Sequence, residues 1–158
     1  MKNIKEYNLD ELKQELISLG EKGYRAEQIF NWLYVEKVKS FDDMTNLSLE
    51  LREKLKQNYT MCNFEILSKQ ESSDGTKKYL FDVLDGNAIE TVLMQYHHGK
   101  TICVSSQIGC KMGCKFCAST GIAFVRGLTS GEIVEQILAV EQDIGEHISN
   151  IVFMGIGE

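Results

Sequence analysis

Three of the chain's five cysteines, Cys110, Cys114 and Cys117, fall within the nine residues GCKMGCKFC. Thiolates at that density bind metal or exchange electrons, and an odd total with this clustering argues against a disulfide framework. Structural zinc takes four protein ligands, usually as two separated pairs. Here a fourth would have to come from His97, His98, Cys103 or Cys62, none at a helpful spacing. A cubane iron–sulfur cluster held by three cysteines instead leaves one iron open to a substrate or cofactor. The missing fourth ligand then reads as a binding position.

The net charge of −6 does not by itself advertise a nucleic-acid partner. Yet residues 91–131 contain no Asp or Glu while carrying Lys100, Lys111, Lys115 and Arg126. That local cationic character suits an anionic, phosphate-rich ligand; a run of neutral residues in a buried sheet and loop is the equally weighted plain reading. With 43% hydrophobic and 25% charged residues the composition is that of a water-soluble globular protein. The N-terminal stretch MKNIKEYNLDELKQE is charged from its second residue and has no apolar run of signal or membrane-spanning length. The expectation is a cytoplasmic protein with no membrane contact.

The elements that must position the cysteines begin with a helical segment. Asn8 and Glu11 form a capping box, Leu9, Leu12, Leu16 and Leu19 recur on one face, and Gly20 stops the helix. A second helix is expected over 25–38 with Ile29, Phe30 and Leu33 inward, and a third over 47–58 on Leu47, Leu51 and Leu55. Trp32 reads as core, as does Cys62. Ser-Ser-Asp-Gly at 72–75 and Asp85-Gly86 then mark hairpins between strands near 64–70, 77–84 and 88–94. His97 and His98 fall in a loop. KTICVS, 100–105, reads as a buried strand, followed by the cysteine loop, a helix capped by Thr129 and Glu132, and a strand at 150–154. The inward stripe of that helix is expected on Ile133, Ile137, Val140 and Ile144. Strand, loop, helix, strand is a βαβ unit, which favours a parallel sheet with ligands at the loops leaving the C-terminal strand ends.

CxxxCxxC with Phe116 before the last cysteine, on the loop after the first strand of a βα unit, resembles the radical S-adenosylmethionine superfamily. The run IETVLMQYHHGKTICVSSQIGCKMGCKFCAST, 89–120, with FMGIGE after it, is similar to the RlmN family of dual-specificity RNA methyltransferases, N-terminal half only. The resemblance implies an α/β chain: a helical RNA-binding accessory domain over 1–60, a β-meander linker over 61–98, and over 99–158 the first βαβ unit of an incomplete (β/α) barrel. It implies methylation of adenine carbon 2 in 23S rRNA and tRNA in a full-length, monomeric enzyme, with electrons from a donor such as flavodoxin or ferredoxin. Cys110, Cys114 and Cys117 are then ligands of a 4Fe-4S cluster with Phe116 beside it. Gly157 and Glu158 match the start of a motif that binds the amino group of S-adenosylmethionine.

Adenine carbon 2 is not a nucleophile, so its methylation calls for cofactor-supplied radical chemistry. In the mechanism that the resemblance implies, a methylated cysteine near the family's C-terminus loses a hydrogen to a 5′-deoxyadenosyl radical and its carbon attacks the adenine. Cys103 occupies the position of the thiol that resolves the adduct as a disulfide, and Glu90 that of the proton acceptor. Without the resemblance, Cys103 reads as a small buried hydrophobe and Glu90 as a solvated strand residue; burial beside the cluster would raise the Glu90 pKa toward useful base strength. The methyl-carrying cysteine and the later strands are expected to lie outside these 158 residues, so the chain alone is expected to be inactive. The rival readings are a sister enzyme that methylates adenine carbon 8 and confers antibiotic resistance, a zinc-binding RNA module without catalysis, and a segment beyond residue 100 left unfolded because its parallel sheet is uncovered.

Overall fold

In the computed structural model, which describes residues 1–158, the chain divides into two units, Met1–Asn63 and Phe64–Glu158. The first starts from the expected capping box: Asn8 accepts from the Glu11 N–H and Glu11 accepts from the Asn8 N–H, each at 2.9 Å. This opens helix α1, Leu9–Ser18, which buries Leu12 and Leu16 but leaves Leu9 37% exposed. Helix α2, Arg25–Phe30, passes into a wider turn over Asn31–Val35, where the Glu36 N–H reaches five residues back to Asn31. Lys37 then takes a positive φ of 53°, so the expected 25–38 helix ends at Val35. Helix α3, Leu49–Asn58, begins later than expected because Ser48 caps it and the buried Leu47 precedes the cap.

Ile4, Leu12, Leu16, Ile29, Leu33, Met44, Leu51 and Leu55 form the core of this unit, each 0–1% exposed. Trp32 packs at the core's edge, half-buried, with its Nε1 donating to Asn46 at 2.6 Å. Two short strands that periodicity could not reveal, β1 (Lys2–Asn3) and β2 (Tyr59–Thr60), pair in parallel and bring the ends of the unit together. Cys62 is half-buried beside that pair, with its carbonyl accepting from Lys5 Nζ at 2.7 Å; it is not a core residue.

The second unit is a sheet of five strands in the order β3 (Glu65–Glu71), β4 (Lys77–Asp82), β5 (Ala88–Tyr96), β6 (Gly99–Cys103) and, last in sequence, Asn150–Val152. The first four strands pair antiparallel as a meander and the last joins β6 in parallel. The meander is therefore continuous with the βαβ unit, whereas a separate 61–98 segment was expected, and the chain beyond residue 100 adds to the same sheet. Two short strands, β7 (Gln107–Ile108) and β8 (Arg126–Gly127), pair between β6 and helix α4 (Ser130–Ile144), which makes Asn150–Val152 strand β9.

Alternation fixes the register. Ile89, Thr91 and Leu93 of β5 share a face with Tyr79, Phe81 and Ile102, all 0–3% exposed, and α4 hydrogen-bonds across that face. A one-residue slip would turn these side chains to water, at about 1.5–3 kcal/mol for each large apolar one. The opposite face carries Lys78, Glu90, Val92, Met94 and Cys103, none of them buried.

Helix α4 departs from its expected stripe. Val140 is buried, but Ile133, Ile137 and Ile144 are half-buried, and the buried face includes Glu132, Glu135, Gln136 and Glu141. Each of these polar groups answers a backbone group that the sheet or a loop leaves unpaired: Glu135 accepts from the Phe64 N–H at 3.1 Å, Glu141 from the Ile148 N–H at 2.8 Å, and Gln136 from the Ser105 N–H at 2.9 Å. No helix is long and apolar enough to cross a membrane.

Candidate functional site

Strands β6 and β9 both end where the cysteine loop begins, and past their ends the two chains stay joined. The Val104 N–H donates to Val152 at 3.0 Å, the Gly155 N–H to Val104 at 3.1 Å, and the Ser106 N–H to Ile156 at 2.9 Å. So close an approach needs glycine at 155, since a Cβ there would lie 2.6 Å from the Val104 oxygen and 2.8 Å from the Ser105 nitrogen. The expected strands 100–105 and 150–154 thus stop as regular strands at Cys103 and Val152 and continue as an irregular, hydrogen-bonded pair.

The cysteine loop is pinched at its base by the antiparallel pairing of β7 with β8. Gly109, at φ +67°, packs against the Ala123 backbone where a side chain would collide. Inside the loop the Cys117 N–H donates to the Cys114 carbonyl and the Thr120 N–H to the Cys117 carbonyl, each at 3.1 Å. The Met112 N–H points at Cys110 Sγ, 3.5 Å away.

Cys110, Cys114, Cys117 and Phe116 share one cleft of about 350 Å³ with Gly157 and Glu158. An adjoining hollow of about 260 Å³ is lined by Glu90, Cys103 and Ser105, and Cys117, Met154 and Ile156 border both. The residues singled out from the sequence thus meet in one place. Their detail differs from expectation at several points. Phe116 is 93% exposed on the rim. The Glu90 side chain is 45% exposed and forms an ion pair with Lys78 at 3.0 Å, so it is not a buried carboxylate. Cys103 is half-buried; burial pushes its thiol pKa up, against a hydrogen bond with the Met154 backbone that acts the other way.

The expected cationic field is weaker than composition suggested. Arg126 is shared between Asp85, at 2.6 Å, and Glu132, at 2.7 Å, and Lys100 pairs with Glu146 at 2.6 Å. Those carboxylates come from outside 91–131, which is why a count within the segment missed them. Lys111 and Lys115 remain in the loop, Lys111 lying over the Phe124 ring at 4.4 Å.

As a donor set the cleft fits a three-thiolate site with an open position. Three cysteines line it and no histidine does; His97 and His98 form the β5–β6 turn, where His98 stacks on Tyr96 at 5.2 Å. The thiols share the cleft without being drawn into a ligand cluster: no three His, Cys, Asp or Glu side chains are grouped closely enough to hold a metal ion.

Two residues at the centre of this arrangement carried no signal in the sequence. Ser105, 0% exposed, donates its hydroxyl to the Glu90 carbonyl at 2.7 Å and accepts from the Ile156 N–H at 3.0 Å. Gln136, also 0% exposed, holds the Ser105 backbone at both its N–H and its carbonyl, each at 2.9 Å, and accepts from the Thr91 hydroxyl at 2.8 Å.

The fold is similar to that of a solved radical SAM methyltransferase from Sphaerobacter thermophilus. The two superpose with a TM-score of 0.90 at 39% sequence identity, over 100% of this chain and 48% of that one. Residues 2–61 match the family profile described as ribosomal RNA large subunit methyltransferase N-terminal domain. The chain is 52% identical to the "probable dual-specificity RNA methyltransferase RlmN" of Clostridium novyi, over 100% of its own length and 46% of the relative's. It is 49% identical to the protein of the same name from Bacillus subtilis, over 99% and 44%. Along its whole length the chain is similar to proteins named RlmN, and it spans about half the length of the curated relatives it matches.

Proposed function

We propose that this chain forms the cluster-binding half of a radical S-adenosylmethionine RNA methyltransferase that methylates adenine carbon 2 in 23S rRNA and tRNA, a cytoplasmic enzyme acting as a monomer. The observation that carries this reading is the single cleft shared by Cys110, Cys114, Cys117, Gly157 and Glu158, with Glu90 and Cys103 in the hollow beside it. The three cysteines hold a 4Fe-4S cluster, and Gly157 and Glu158 hold the amino end of S-adenosylmethionine. Cluster and cofactor together supply the one-electron cleavage that starts radical chemistry.

The chain's own residues do the rest. Phe116 stands at the rim of the cleft, beside the position of the cluster. Glu90, released from Lys78, accepts the proton that leaves adenine carbon 2. Cys103 attacks the sulfur of the cysteine that is by then joined through its methylene carbon to the adenine; the sulfur–carbon bond breaks, its electron pair passes to the adenine, the methylene takes up a proton to become the methyl group, and the two cysteines are left as a disulfide. The helical unit supports RNA binding, the second unit supplies the opening βαβ of a (β/α) barrel, and a flavodoxin- or ferredoxin-like protein delivers the electron.

The test is metal and acid-labile sulfide content of the chain purified without oxygen, beside Cys114→Ala. About four irons and four sulfides per chain, lost in the variant, is the expected result. Stoichiometric zinc without sulfide would overturn it. In the longer protein, analysis of the modified adenine separates carbon 2 from carbon 8.

A further inference from the structure

We propose that Ser105 is a positioning residue: its buried hydroxyl, itself set by Gln136, couples the strand that carries Glu90 to the 154–158 segment and so fixes the cofactor-binding end of the cleft. The inference rests on the S-adenosylmethionine reading above.

The geometry is specific. One hydroxyl bridges the Glu90 carbonyl on β5, at 2.7 Å, and the Ile156 N–H, at 3.0 Å, so it donates to one element and accepts from the other. A hydroxyl satisfies both at once, which neither a carbonyl nor an alkyl group can do. Ser105 is held in register by Gln136, whose amide grips its N–H and carbonyl like a paired strand, each at 2.9 Å. Gln136 comes from the middle of α4, so the helix, β5, β6 and the segment after β9 all converge on residue 105.

The consequence lies two residues away. Once the Ile156 N–H is anchored, the Ile156 carbonyl accepts from the Ser106 and Gln107 N–H groups at 2.9 and 3.1 Å, and Gln107 Nε2 reaches the Glu158 carbonyl at 2.7 Å. Gly157 sits between these anchors at φ +130°, where a side chain would collide with Ser106. The path of 156–158 past the cysteine cleft is thus set by hydrogen bonds that begin at the Ser105 hydroxyl. Misplacement of about 1 Å in a positioning element suffices to cost two orders of magnitude in rate, so a single anchor of this kind has functional weight.

Ser105→Ala removes the hydroxyl and leaves the backbone grip of Gln136 in place. Three quantities are measured on the chain purified without oxygen: hydrogen exchange of the Ile156 amide, equilibrium binding of S-adenosylmethionine, and iron content. Expected are Ile156 exchange at least tenfold faster with Gly155 exchange unchanged, S-adenosylmethionine binding weakened about tenfold, and iron content as in the parent, as fits loss of one buried hydrogen bond. Leu138→Ala, a core truncation on α4 that does not touch the bridge, serves as the control; it lowers Tm without the selective change at Ile156. Unchanged Ile156 exchange, or faster exchange with unchanged binding, overturns the positioning role. Loss of iron together with binding assigns Ser105 a merely structural role and also overturns it. If the parent chain loads iron but binds no S-adenosylmethionine, the functional reading itself fails, and this is distinguished because the parent and the variant then fail alike.

Discussion

At the level of single residues, the proposed function asks two different chemistries of the thiols. Cys110, Cys114 and Cys117 are close in sequence and share one cleft, whereas Cys103 stands apart at the end of β6, half-buried beside Glu90. The resolving role proposed for Cys103 requires access to the hollow and separation from the other three thiols, and Cys103 lines the hollow but not the cleft of Cys110 and Cys114. In the longer protein, Cys103→Ala is expected to bind RNA and form the covalent adduct but not release it. The measurement is a protein–RNA species on a denaturing gel, accumulating to near one per enzyme and absent from the parent. An exchange of thiol for methyl at a half-buried position costs about 1 kcal/mol or less, so a folded variant that turns over normally would remove Cys103 from the mechanism. The grouping of Cys110, Cys114 and Cys117 in one cleft was legible because their spacing is local. Glu90 and Cys103 were singled out only by resemblance, since a lone glutamate or cysteine on a strand carries no chemical signature. Ser105 was illegible because its role is created by residues 90, 136 and 156 meeting in space.

At the level of elements, α4 shows how a period can be right and its face wrong. Apolar residues occur on two sides of this helix, and the side turned to the sheet was decided by backbone groups at strand ends that only Glu132, Glu135, Gln136 and Glu141 could satisfy. Its N-terminus carries a testable charge. Burial pushes the Glu132 carboxyl up, but hydrogen bonds from Arg126 and the Thr129 N–H, with the Arg126 charge, outweigh it and hold the carboxyl below the usual glutamate range. A carboxyl depressed on folding adds stability that is fully present above its unfolded value and is lost as pH falls through the folded one. Acidification from about pH 5 downward should therefore release this contribution. Glu132→Gln keeps a capping-box partner for Thr129 but loses the charge pair. It is expected to lower stability by about 1–3 kcal/mol at pH 7, with the difference from the parent shrinking toward pH 3. Urea melts across that range check it; a pH-independent difference would mean that packing, not charge, is at stake.

At the level of the whole molecule, the sheet of the second unit is covered on one face only. Against the other lies an open groove of about 830 Å³ lined by Val92, Met94, Tyr96, Val152 and Met154 among others. Nearby, Ile151 is 48%, Phe153 67% and Met154 80% exposed. The meander and the βαβ unit were each legible from turn signals and periodicity, but their fusion into one sheet was not, because His97-His98, the tight turn that pairs Tyr96 with Gly99, is not one of the dipeptides that mark a two-residue hairpin. Apolar patches beyond a few hundred Å² on a soluble surface drive association. The 158-residue chain is therefore expected to self-associate in the micromolar range and to bind the dye ANS. Phe153→Ser with Met154→Ser should shift sedimentation toward the monomer several-fold while leaving the melting temperature nearly unchanged, since exposed substitutions cost within about 0.5 kcal/mol. A parent chain that sediments as a monomer at roughly 100 µM and binds no dye would show that this face does not behave as an exposed apolar surface.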